Sequence, residues 1–121
     1  MLTEHEVKRL LDAANAGLHK GEVAAARTIY EGILAGRPGH APALISLALS
    51  HIAVGECEQA EAILRERVLA ANPDDADALA YLGLALSISG RAEEAEAVFA
   101  SIPEGTAARK MASAVLEARA G

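Results

Sequence analysis

Aromatic residues are scarce: two tyrosines, one phenylalanine and no tryptophan among 121 residues, although 52% of the chain is hydrophobic. Alanine supplies much of that apolar share, which favours closely packed helices over a sheet. Basic residues are also outnumbered, 11 against 17 acidic ones, for a net charge of −6. Phosphate backbones and anionic membrane surfaces are repelled on balance, so neither nucleic acid nor a membrane is expected as a partner. Cys57 is the only cysteine. An internal disulfide is thereby excluded, and a single thiol suits a reducing cytoplasm. Long apolar runs are missing too: the Leu44–Val54 stretch is broken by Ser46, Ser50 and His51, whereas a membrane span needs about 18 apolar residues. The start, Met1 to Arg9, is charged and lacks the uninterrupted apolar stretch of a signal peptide. The expectation is a soluble, cytoplasmic protein folded as one domain over 1–121.

What the chain does have is a repeat. Gly21, Gly55 and Gly90 lie 34 and 35 residues apart, and each is followed five residues later by an alanine, Ala26, Ala60 and Ala95. Leu10, Leu44 and Leu79 keep the same spacing, as do the bulky residues Tyr30, Leu64 and Phe99. Pro38 and Pro73 are 35 apart while Tyr30 and Leu64 are 34 apart, so one extra residue falls between Leu64 and Pro73. Its expected place is a helix end or the turn after it, where an insertion does least harm. Apolar periodicity and stop signals predict helices over 4–19, 23–35, 41–54, 57–71, 76–89, 92–101 and 107–119. Thr3 with Glu6 fits a capping box at the first helix, and Thr106 fits a cap for the last. On that last helix Ala108, Met111, Ala112, Val115 and Leu116 form one apolar face.

These columns resemble the tetratricopeptide repeat (TPR), with Leu82-Gly83 matching the family's Leu-Gly step best. Leucine stands in place of the usual tryptophan at Leu10, Leu44 and Leu79. The resemblance implies an all-α, TPR-type α-α superhelix of three helix hairpins, about 7–40, 41–75 and 76–103, with a C-terminal capping helix at about 106–119. The physical logic agrees, since a hairpin of this length cannot bury its apolar face alone and must stack on the next. Small residues at Ala14, Ala48 and Gly83, facing Ala26, Ala60 and Ala95, permit close approach within each hairpin. Tyr30, Leu64 and Phe99 fill the space between hairpins.

Candidate chemistry is thin. The four histidines, His5, His19, His40 and His51, include no pair at the i, i+3 or i+4 spacing that aims two rings at one ion, and no second cysteine joins Cys57. Cys57 and His51 are separated by the Gly55 turn, with nothing nearby to supply an oxyanion hole. Glutamates on the second helix of each hairpin, such as Glu61 four residues before Arg65, read as a wet helix face. Phosphate loops and nucleotide fingerprints are absent. No catalytic residue, cofactor or metal ligand is assigned, and no enzymatic activity is expected.

The informative surface is the concave one made by the first helix of each hairpin. Counting in the repeat register places Leu11, Asn15 and Leu18, then Ile45, Leu49 and Ile52, then Ala80, Leu84 and Ile88 on its inner side, and eight of these nine are apolar. A helical wheel does not separate groove from inter-repeat packing, so each of them has both readings. The basic clamp that TPR proteins use for C-terminal carboxylates is matched only at Asn15; Leu11, Ser46, Asp77 and Tyr81 occupy its other positions. An apolar trough suits an amphipathic partner helix, read through its i, i+3, i+4 and i+7 anchors. Size, acidity and groove character are similar to the small cytoplasmic TPR chaperones of bacterial type III secretion, and that resemblance implies a chaperone or adaptor holding a needle subunit or other export substrate. Two other readings remain: a general scaffold or assembly factor that forms a homo-oligomer through its terminal repeats, and an enzyme or metal-dependent regulator built around His51 and Cys57.

Overall fold

One backbone device builds all three hairpins. In the computed structural model, which describes residues 1–120 apart from the side chains of 115 and 118–120, Gly21, Gly55 and Gly90 have φ of 85°, 81° and 80°. That left-handed conformation costs a residue with a Cβ about 1–2 kcal/mol. The residue after each glycine donates its N–H back into the preceding helix: Glu22 to the Gly17 carbonyl at 2.9 Å, Glu56 to His51 at 2.8 Å and Arg91 to Leu86 at 2.9 Å. Carbonyls that the helix end would otherwise orphan are thereby satisfied. The side chain that follows the glycine consequently has an equivalent position in every hairpin.

The helices are α1 (Glu4–His19), α2 (Val23–Gly36), α3 (Ala41–Ala53), α4 (Cys57–Ala62, continued by Ile63–Leu69), α5 (Ala76–Ile88), α6 (Ala92–Ala100) and α7 (Ala107–Ala120). Among the described residues there is no strand. The Thr3–Glu6 capping box opens α1, with bonds of 2.9 and 3.1 Å. Asp75 caps α5 through Ala78 N at 3.0 Å, and Thr106 caps α7 through Arg109 N at 3.0 Å. Helices α2 and α3 pack together, as do α4 and α5, so consecutive hairpins stack; α7 lies against α5 and α6. The small residues at the close approaches are buried, and Tyr30, Leu64 and Phe99 fill the seams with at most 3% of their surface exposed. On α7, Ala108 and Ala112 are buried while Met111 is exposed; the side chain of Val115, expected on the same apolar face, lies outside those described.

The extra residue is taken up between Leu64 and Pro73, as the spacing suggests, but inside the helix and not at its end or in the turn. Counted from the glycines, Val68 corresponds to Leu34. By the bond that closes the helix it corresponds to Ile33, because Asn72 N donates to Val68 O at 3.0 Å as Arg37 N donates to Ile33 O at 2.9 Å. One residue has been absorbed in between, by widening Ile63–Leu69 into a π-helix in which Ala70 N reaches back five residues to Arg65 O at 3.1 Å. A π segment adds a residue while keeping the backbone hydrogen-bonded. Leu64 and Val68 can therefore both stay in the core.

Charged residues stitch the seams, and their polarity alternates. Between the first two hairpins, Arg27 Nη2 donates to Glu56 Oε1 at 2.7 Å and Arg27 Nε to Ser50 Oγ at 3.0 Å. His51 Nδ1 lies 2.9 Å from the same Glu56 oxygen. Between the second and third, the acid is on the earlier hairpin: Arg91 Nη1 donates to Glu61 Oε1 at 2.7 Å, while Arg65 Nε donates to Glu61 Oε2 at 2.8 Å. Arg27 and Glu61 hold equivalent places six residues after their glycines, and Glu56 and Arg91 directly follow theirs. Removing Arg27 strips a donor from Ser50, which is fully buried, and leaves Glu56 to His51 alone. Arg27→Met should cost about 1–3 kcal/mol in urea unfolding; an unchanged midpoint would mean the seam does not depend on this network.

The seams also contribute to the response to acid. Hydrogen bonds from His51 and then Arg27 hold the Glu56 carboxyl below its ordinary 4.5, and Arg91 does the same for Glu94. At Glu61, burial pushes the carboxyl up but Arg65 and Arg91 outweigh it, so it too is lowered. A carboxylate with a depressed folded pKa contributes stability above its unfolded pKa and loses it as pH falls through the folded value. The melting temperature should therefore hold steady between pH 7 and about pH 5 and fall as the pH is taken below about 4. The fall should be shallower in Arg27→Met; equal slopes in the two proteins would place the acid sensitivity elsewhere.

Candidate functional site

The first helices of the three hairpins enclose a concavity of about 370 Å3. From α1 come Leu11, Asn15, Leu18 and His19; from α3 come Ala41, Pro42, Ile45, Ser46 and Leu49. The third side is Tyr81 and Asp77 of α5 with its capping residue Asp75. Leu11, Ile45 and Leu49 are only half-buried although they pack against the core, so each keeps an apolar surface for another molecule. Asn15 is oriented from behind: the Tyr30 hydroxyl donates to its Oδ1 at 2.6 Å. Burial pushes the Tyr30 phenol up, which keeps that donor protonated. What Asn15 offers an incoming group is its NH2. Asp75 spends one oxygen on its cap, and Asp77 is exposed. The floor is thus apolar and one rim acidic.

Of the nine residues expected on the inner side, Leu11, Asn15, Leu18, Ile45 and Leu49 come together here. The others do not join them. Ile52 and Ala80 are each only 8% exposed, and Leu18, at the same value, contributes little more than an edge. Ala80 and Leu84 border a separate cavity of about 60 Å3 with Phe99, Met111 and Ala112. Ile88 is 56% exposed and lies in a depression beside Gly55, Glu56 and Cys57. A wheel reports the direction of a side chain and not what the adjacent hairpin lays over it. His19, Ala41, Pro42 and Asp75 escaped the sequence reading because they lie at helix ends, where periodic counting has no purchase. Ser46, Asp77 and Tyr81 were visible as occupants of inward clamp positions.

The residues considered for chemistry are engaged otherwise. His51 Nδ1 lies 2.9 Å from Glu56 Oε1 and 3.1 Å from Arg27 Nη2, so this ring nitrogen is taken up by the seam. Cys57 is a buried free thiol at the start of α4. Among the described residues no three His, Cys, Asp or Glu side chains gather as a metal site, and no helix is long and apolar enough to cross a membrane.

Comparison with known families agrees with the hairpin geometry. A tetratricopeptide repeat family model matches residues 45–110, more than half of the chain, and a second tetratricopeptide repeat model matches residues 18–66. No curated protein matches the chain. With turns, seams and close-packed small residues repeated in register over the same span, the chain belongs to the tetratricopeptide repeat family.

Proposed function

We propose that this protein is an adaptor or small chaperone that holds an amphipathic helix of a partner polypeptide in the concavity between α1, α3 and α5. Tetratricopeptide repeats are protein-interaction modules, which sets the class. The observation that supports the finer reading is the half-buried floor of Leu11, Ile45 and Leu49 beside the Asp75–Asp77 rim. Apolar anchors at i, i+3, i+4 and i+7 of the partner would cover the floor, and a lysine or arginine at one end of its helix would meet the rim. Asn15 would donate to a polar group on that helix. Within this class, an export substrate of a type III secretion system is the specific cargo to which the sequence resemblance leads. The test is co-purification of the wild-type chain from native cells, identification of the bound polypeptide, and titration of its isolated helical segment. A partner that binds through a non-helical segment, or away from the concavity in chemical-shift mapping, sinks the reading.

A further inference from the structure

The columns that face a preceding hairpin are closed twice and open once. Ala43, Leu44, Leu47 and Ser50 on α3 are buried, as are Ala78, Leu79, Leu82 and Ala85 on α5. Their counterparts on α1, Arg9, Leu10, Ala13 and Ala16, are all exposed, Leu10 at 37%. Leu2, Glu6, Arg9, Leu10 and Ala13 line a shallow depression of about 400 Å3 on that face. Charge repeats the pattern. The residue after the turn glycine pairs at 2.7 Å with the preceding hairpin in both seams, through Glu56 and through Arg91. Glu22, the third member of the column, lies over Gly17 with no ion-pair partner among the described residues.

We propose that this end face of α1 is a second interaction surface, occupied by a helix of a partner protein that sets aliphatic side chains over Leu10 and Ala13 and an arginine or lysine against Glu22. The sign of the charge follows from the seams: Glu22 is acidic like Glu56, whose partner is Arg27, and unlike Arg91, whose partner is Glu61. A second copy stacked head to tail is the wrong occupant. The residue it would present, six positions after Gly90, is Glu96, which repels Glu22, and its matching face is already covered by α7. The surface lies outside the concavity, so its fate and that of the proposed helix groove are separately measurable.

The probe is a hydrocarbon-stapled peptide with the sequence of residues 22–37, which carries Arg27, titrated into the full isotope-labelled chain and followed by amide shifts. Saturable shifts confined to residues 6–16 and Glu22 are expected. An Arg27→Glu peptide should bind about three- to tenfold more weakly, since one exposed attraction becomes a repulsion. Glu22→Arg in the protein should invert that preference. Equal binding of the two peptides, shifts centred on Ile45 and Leu49, or no saturation would each overturn the proposal. So would concentration-dependent shifts of α1 without peptide, which would assign the face to a second copy.

Discussion

Gly83→Leu should leave little native protein at moderate urea, with a loss of about 3 kcal/mol or more. Gly83 is buried on α5, and a Cβ built there would lie 2.6 Å from Phe99 Cδ1 and 2.7 Å from Cζ, well inside van der Waals contact. The ring has little room to move, since Phe99 is itself 3% exposed and the cavity it borders is only about 60 Å3. A leucine adds three further carbons in the same direction. Gly83→Ala separates the steric cost from helix propensity: alanine gains about 1 kcal/mol in a helix interior, so any net loss measures the overlap with the ring. Shrinking the partner should then relieve it. In the Gly83→Ala background, Phe99→Leu should cost less than it does alone, a coupling that a double-mutant cycle in urea reads directly. Gly83→Leu with an unchanged midpoint would show that α5 and α6 do not approach this closely.

Leu49→Glu should weaken partner binding sharply while sparing the fold. Leu49 is half-buried in the middle of α3, on the floor of the concavity, so a glutamate there can still reach water. Burying a leucine-sized anchor is worth roughly 1.5–3 kcal/mol, and a charge opposite an apolar partner surface adds a desolvation cost. Binding should weaken on the order of tenfold to a hundredfold or more, with little salt dependence because the lost contact is apolar. Ile52→Glu, one turn further along the same helix, is the control. Ile52 is only 8% exposed, so that substitution should unfold the protein, by burying a charge without a partner. If Leu49→Glu binds the identified partner as tightly as wild type, the helix does not lie in the concavity. If it unfolds like Ile52→Glu, Leu49 belongs to the core and the floor is smaller than drawn.

The contrast between Leu49 and Ile52 shows what can be read without coordinates of the neighbours. Helix spans, caps and hairpin turns were legible because they depend on residues close in sequence: Thr3 caps Glu6, and Gly21, Gly55 and Gly90 turn left-handed within their own hairpins. The close approach at Gly83 was legible too, since only a small residue at a regular place in the repeat permits it. Other features needed the stack itself. Arg27 meets Glu56 across 29 residues and Arg91 meets Glu61 across 30, and no helical period links such pairs. The π segment emerged from two registers that disagree by one residue, which the spacing detected but could not place within the helix. Leu10, Leu44 and Leu79 are one column in sequence and two environments in space, because burial depends on whether a hairpin lies in front. By itself the sequence determined the repeat, its helices and its turns, all products of local hydrogen bonding and periodicity. Only the tertiary structure decided which inward residues form a floor, which vanish into the core, and which face stays open, because those outcomes depend on how each hairpin overlaps the next.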